Sequence, residues 1–414
     1  MLETSDFSVS LRPEILIDGT VVEKLGEHLL EMQLTSSVQG HAVASARFLN
    51  WGSSSSSSEP NFLYFDQAYL DFGRKIMFRV KSGDSALILF SGQITAIEGH
   101  TTLSYPPEIV ITAEDRLSDF GLLIRNRIFE SVTDADILNV IAGEHGLTPQ
   151  ISLGGPTHER VVQFNQTDLG FCFERVRAAG GELWIEDNTL HAVTREERMS
   201  GPIDLAMGKN LIQFHARADL QGQGTELRVT GWDVGMKQRI TGVGKDSSLG
   251  GSVSAGGQTA AKILKEFTGG HTLIHEVKSL PTSGEQAQTL AKQFYREKAG
   301  EFVRATGKAL DHPELRVGTV VNISQVGSFF EGDYYLIAVT HSFSSLTGFQ
   351  TEFVAERAWL NRKAPRRSKK EVTGDNTIRK KPILPRKPIS TNPRNTSRPV
   401  VRRVPGAGQR RKRP

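Results

Sequence analysis

The chain has a single cysteine, Cys172, in 414 residues. No intramolecular disulfide can form, so a small disulfide-stapled scaffold is excluded and folding in the cytoplasm is expected. Tryptophan and tyrosine are scarce, 4 and 6 residues against 21 phenylalanines, so the cores must rest on aliphatic residues and Phe. No apolar run approaches the roughly 18 residues that cross a bilayer. The first residues, MLETSDFSVSLRPEI, have neither a basic leader nor an apolar core, so no integral membrane segment and no secretory signal are expected. Acidic residues are almost missing from one end. Residues 361–414 hold 19 Lys and Arg against 2 Asp and Glu, a charge of +17, which leaves −13 on residues 1–360 of a total of +4.

The usual catalytic signatures are missing as well. There is no G-x-S-x-G elbow, no CxxC pair and no glycine-rich dinucleotide fingerprint. His271 and His275 are four apart, but Thr272 stands where a zinc protease needs its general-base Glu. Gly242, Gly244 and Lys245 suggest a phosphate loop, yet Arg239 takes the first glycine position and Asp246 the last. Cys172 falls on an apolar helix face with no activating base beside it, so it reads as core. Glu114 and Asp115 are adjacent carboxylates whose pairing depends on the fold. No catalytic, cofactor-binding or metal-ligating residues are assigned, and the chain is not expected to be an enzyme.

The residues that are present alternate with period two over most of the chain. Short strands are predicted at 7–11, 14–17, 29–35, 41–49, 76–80, 86–90, 93–97 and 108–113, with Asp18 and Gly19 as a two-residue hairpin turn. Ser53 to Ser58 is six consecutive serines and reads as a flexible loop. The pattern then switches to helical spacing. Thr133 with Asp136 forms a capping box ahead of Ile137, Val140 and Ile141, and Gly146 and Leu147 end that helix. Thr167 opens a second helix with Leu169, Cys172, Phe173 and Val176 on one face, stopped by Gly180 and Gly181. Residues 182–186 and 189–193 form a hairpin about Asp187 and Asn188. Further strands follow at 210–217 and 226–230. Residues 242–257 read as a Gly/Ser-rich linker. Ser283 and Gln286 cap a helix carrying Ala287, Leu290, Ala291 and Phe294, and strands at 302–306, 319–323, 334–340 and 349–355 close the folded region.

In this frame the element R-x-R-I-F at Arg127, Ile128 and Phe129 resembles part of the second domain of VgrG-like hub proteins. So do H-G-L at His145, Gly146 and Leu147, and Q-x-N-x-T-D-L-x-F at Gln163, Asn165, Thr167, Asp168, Leu169 and Phe171. That family includes the phage late control protein D proteins and the baseplate hub proteins of contractile injection systems. The runs F-S-G-Q-I before Glu114 and Asp115, H-P-E-L-R-V-G-T from His312, G-D-Y-Y-L-I-A-V-T-H from Gly332 and G-F-Q-T-E-F from Gly348 are similar to its barrels. His341 matches a family position at a strand end and reads as a structural hydrogen bonder.

The fold class expected is therefore mainly β with an α+β insertion: two antiparallel β-barrel domains resembling a contractile-tail hub, a small helix-hairpin domain and a disordered basic C-terminal tail. The expected boundaries are 1–124 for the first barrel, completed by about 205–241, 125–204 for the insertion, 242–257 for the linker, 258–360 for the second barrel with its helix, and 361–414 for the tail. The tail holds 8 of 17 prolines and few apolar residues, too few to offset the entropy of ordering. Its cations Arg366, Arg367, Lys369, Lys370, Arg402, Arg403, Arg410, Arg411, Lys412 and Arg413 are candidate contacts for an acidic partner or cargo.

The resemblance implies a structural baseplate hub made in the cytoplasm and assembled into a phage-tail-like particle or virion baseplate. It would be a homotrimer adapting a hexameric inner tube protein to a trimeric spike. Hub proteins of this kind often continue into a needle, whereas here the basic tail follows Leu360, so a separate spike protein is expected. Two other classes stay open: a nucleic-acid-binding protein acting through the basic tail, and a tail-associated cell-wall hydrolase.

Overall fold

The computed structural model describes residues 11–54, 57–82, 85–233, 236–252, 257–278, 281 and 283–362. The ten cationic positions expected to contact a partner, from Arg366 to Arg413, lie outside these residues. The chain is mainly β. One large sheet of thirteen strands runs through it, antiparallel except where Ser200–Ala206 pairs in parallel with Thr319–Ser324.

From one side the sheet order is Leu211–Ala218, Val303–Leu310, Gly348–Arg357, Gly332–Ser344, Leu29–Ser37, Gly40–Leu49, Glu108–Glu114, Ser85–His100, Lys75–Ser82, Glu14–Ile17 and Thr20–Val21. Asp18 and Gly19 both take positive φ, +48° and +82°, as a tight hairpin between the last two strands demands. The long Gly332–Ser344 strand joins the two halves. Beyond an irregularity after Leu336 its second part pairs with Leu29–Ser37, whereas its first part pairs with Thr319–Ser324. No strand pairing among the described residues closes either half of this sheet on itself, so the two closed barrels expected are not seen. Each half nevertheless has its own core. Ile15, Leu25, Phe48, Phe78 and Ile111 fill one, and Leu211, Phe302, Val321, Tyr334 and Leu336 the other.

Six α-helices occur among the described residues: α1 Glu23–His28, α2 Asp134–Glu144, α3 Asp168–Ala178, α4 Arg195–Arg198, α5 Ala260–Phe267 and α6 Gly284–Gly300. The capping box expected at Thr133 and Asp136 opens α2, and Thr167 caps α3. Gly146, at φ +66°, turns the chain so that the Leu147 N–H bonds the Ala142 carbonyl and its side chain is buried. Ile137, Leu138, Ile141 and Ala142 face the core of the insertion, with Phe171, Cys172 and Val176 from α3. Val140, expected on that face, is 49 % exposed. Leu138 takes its place: Ile137, Leu138, Ile141 and Ala142 fall at i, i+1, i+4 and i+5 on one face of the helix, which leaves Val140 off that face. The hairpin Gly181–Glu186 and Thr189–Thr194 forms, and Thr148–Ser152 adds a third, parallel strand beside it.

Four further expectations are corrected. Strands expected to return to the first barrel pair elsewhere: Leu211–Ala218 joins the second half beside Val303–Leu310, and Glu226–Asp233 forms a separate sheet with Gln238–Gly244 and Ile274–Lys278. The supposed linker begins as strand, because Gly242 and Gly244 let that small sheet press directly on α6. A Cβ at either would stand 2.0 Å from the Ala287 carbonyl or 2.1 Å from that of Ala291. The serine run is not all loop, since Gly52–Ser54 pairs with Ser57–Asn61. Finally, Asn361 and Arg362 belong to the folded body: Asn361 Nδ2 donates to the Ser328 and Glu331 carbonyls at 3.0 and 2.8 Å, and Arg362 pairs with Glu266 at 2.8 Å.

Candidate assembly surfaces and the Asp168 node

The elements R-x-R, H-G-L and Q-x-N-x-T-D, far apart in sequence, converge on one buried carboxylate. Asp168 is the first residue of α3 and is 1 % exposed. Its Oδ1 accepts from Arg127 Nη2 at 2.5 Å and Gln163 Nε2 at 2.9 Å, while Oδ2 lies 3.1 Å from His145 Nε2 and 3.0 Å from Arg125 Nε. Burial alone would raise its pKa. The hydrogen bonds from Gln163 and His145 and the charges of Arg127 and Arg125 outweigh it and hold the carboxyl below its ordinary value. Arg127 also reaches Gln163 Oε1 at 2.7 Å and Glu144 at 2.6 Å. The His145 ring stacks on Phe120 with 3.9 Å between centroids.

This constellation cross-braces the two-stranded Ile124–Val132/His158–Thr167 sheet to both helices. It offers no nucleophile. Cys172 sits behind it, fully buried, and burial pushes its thiol well above the usual range, so no thiolate is available. Asp134 is fixed the same way, by Arg175 at 2.5 Å and His158 at 3.3 Å.

The outer face of that sheet is different. Ile128 and Val162 lie directly opposite each other, 59 % and 50 % exposed, while Phe129 and Val161 opposite one another face the core. Leu122, Leu123, Ile124 and Phe164 extend the apolar face with exposures of 63–75 %. Exposed apolar residues grouped in this way are of the kind found at association surfaces. Beyond Leu211, which bridges Met207, the outer edge of the Leu211–Ala218 strand pairs with no other strand among the described residues.

The remaining candidates are committed to structure. Asp115 accepts the backbone N–H of Ala42 at 2.7 Å and of Leu117 at 2.8 Å; burial, partly offset by these bonds, pushes its pKa up to about 6. Glu114 lies 3.6 Å from His41. His341 is 4 % exposed between Arg316 Nη1 at 2.8 Å and Thr351 Oγ1 at 3.0 Å. The Thr351 hydroxyl donates to the His312 carbonyl, so it accepts from His341 Nδ1–H, and Nε2 accepts from Arg316. Burial and the Arg316 charge push the His341 pKa down to about 3. Arg316 donates to the Ile88 carbonyl as well, which ties the two sheet halves together. His275 Nε2 lies 3.2 Å from the Gln223 carbonyl. Among the described residues no group of three His, Cys, Asp or Glu could hold a metal ion, and no helix is long and apolar enough to cross a membrane. A depression of about 380 Å³ lies over Gln213, Thr306, Lys308, Thr340 and Glu352, but Lys308 and Glu352 pair there at 2.6 Å.

The fold is that of phage tail proteins. It resembles the 43 kDa tail protein of prophage MuSo2 from Shewanella oneidensis, with a TM-score of 0.62 at 12 % identity over 84 % of this chain and 100 % of that one. A tail protein from Neisseria meningitidis gives 0.60 at 13 % identity, covering 84 % and 97 %. An Escherichia coli component of the type VI secretion system, described as similar to the T4 bacteriophage tail proteins gp27 and gp5, gives 0.55 at 11 % identity, covering 85 % and 79 %. By sequence, the chain belongs to the family described as the Alg8 N-terminal domain, whose model matches residues 9–345. A search of curated proteins finds no match.

Proposed function

We propose that the chain is a structural hub of a contractile injection system or phage-tail-like particle, a homotrimer seated between a hexameric inner tube and a separate spike protein. The observation that carries this reading is the tail-protein fold spread over 84 % of the chain together with its two sheet halves, each with its own core. Three chains offer six such halves, so one ring can meet sixfold symmetry on one side and threefold on the other. On this reading the halves span about residues 11–121 and 200–362, and act as the two barrel-like units of the hub, with 124–198 as the insertion. The exposed apolar face at Ile128, Val162 and Phe164 supplies an association surface of the kind such a hub needs.

The chemistry of the side chains agrees with a structural role, because the buried carboxylates and histidines are used up by arginines and backbone groups. Binding energy then comes from protein interfaces. The test is a mass measurement of the full chain, alone and with tube and spike proteins. A trimer is expected, and a monomer or dimer that persists with both present removes the symmetry argument. A salt-sensitive shift of DNA that needs residues 363–414 would favour the nucleic-acid reading instead.

A further inference from the structure

The stretch from Phe48 to Gly73 concentrates what the rest of the chain lacks. It holds seven of the 31 aromatic residues, three acidic residues and no Lys or Arg. Trp51, Phe62, Phe65 and Phe72 are 39–65 % exposed. Their rings are arranged: Trp51 meets Phe62 edge-on at 5.5 Å, and Phe62 stacks on Phe65 at 5.0 Å. The ledge is also rigidly mounted. Asn50, fully buried, accepts the backbone N–H of Leu63 and Tyr64 through its Oδ1, at 2.9 and 2.8 Å. Tyr64 is buried and its hydroxyl bonds His28 at 2.6 Å. Phe65 lies over Gly99, where a Cβ would come within 2.9 Å of the ring.

Asp66 directly follows Phe65 in the chain and Asp71 directly precedes Phe72. Each uses Oδ1 to accept a backbone N–H, from Ala68 at 3.0 Å and Phe72 at 2.8 Å, and the other oxygen of each has no partner among the described residues. Ring faces and carboxylates favour the same ligand charge. A cation over an aromatic face gains from the ring quadrupole, and a carboxylate beside it adds a charge-assisted hydrogen bond. Nucleic acid and anionic lipid are disfavoured by the same acids. Burial against an apolar copy of this surface would strip water from two unpaired carboxylates, which is costly.

We propose that this aromatic ledge docks an extended cationic segment of a partner protein, whose Arg or Lys side chains lie over Trp51, Phe62 and Phe65 and pair with Asp66 and Asp71. The proposal is independent of the hub reading. It is tested with the full chain and a fluorescently labelled peptide of alternating Arg and Pro, followed by anisotropy. Asp66→Asn with Asp71→Asn keeps the amide oxygens that hold Ala68 and Phe72 and removes only charge; Phe62→Ala removes the central ring. Each is expected to weaken binding about tenfold, with melting temperature unchanged and with weaker binding at higher salt. A matching peptide of alternating Glu and Pro is expected not to bind. Equal affinity in the variants, or equal binding of the Glu peptide, overturns the proposal. So does a self-association of the full chain that Phe62→Ala abolishes while peptide affinity stays the same, which would make a second copy the occupant.

Discussion

Asp168 and His341 are both buried, but the fold keeps one charged and the other neutral. Asp168 is surrounded by Arg127, Arg125, His145 and Gln163, so replacing it by Asn leaves buried or half-buried guanidinium groups without their counter-charge. Breaking such a set from one side costs about 3–5 kcal/mol. Chemical denaturation of Asp168→Asn should show a loss of this size. A loss under 1 kcal/mol would mean that the node is not a brace. A second residue-scale prediction comes from two opposite shifts. His341, held near 3 against an ordinary 6.5, contributes stability that is present above pH 6.5 and lost as pH falls toward 3. Asp115, raised to about 6 from 3.8, does the reverse: its contribution is full below pH 3.8 and is lost as pH rises through 6. Between pH 4 and 6 the two slopes oppose. Relative to the parent, His341→Gln should therefore make stability fall more steeply with rising pH in this window, and Asp115→Asn should make it rise more steeply. Melting temperatures over that window check both signs, and identical slopes in all three proteins would count against the burial of both groups.

At the scale of elements, the sequence was legible wherever structure is local. Capping boxes, the Asp18–Gly19 turn and the Gly146 stop are written in a few adjacent residues, and α2, α3 and α6 appear where those signals put them. What stayed hidden depends on distant partners. Nothing near 211–218 says that its neighbour is 303–310, and the glycines at 242 and 244 look like linker until α6 is packed against them. Short α1 and α5 lack a long periodic run and were not expected. The candidate site was half legible: the motif residues around Asp168 could be picked out, but their convergence is a tertiary fact, and the aromatic ledge had no motif to announce it. Val140 and Ile141 make the point testable, since they are adjacent β-branched residues on α2, one exposed and the other buried. Ile141→Asp should bury an unpaired carboxylate at a cost of several kcal/mol, whereas Val140→Asp, at an exposed position, should change stability by about 0.5 kcal/mol or less. Equal effects would show that the core face of α2 is misplaced.

The whole molecule is organised by an uneven division of charge. Residues 1–360 carry −13 and residues 361–414 carry +17, and the described body ends with Asn361 and Arg362 bonded to it. Among the described residues, every member of the body's four hydrophobic clusters lies before residue 362. Removing residues 363–414 should therefore leave the melting temperature unchanged. The cations from Arg366 to Arg413 should act on encounter with an acidic partner instead. Charge of this density raises association rates, and its effect fades as salt shortens the Debye length to about 8 Å at physiological ionic strength and less above it. Particle assembly and cargo loading, compared for the full and shortened chains at two salt concentrations, should differ at low salt and converge at high salt. If the shortened chain melts lower, residues beyond 362 belong to a core; if it assembles and loads identically at both salt concentrations, the +17 segment has no part in either process.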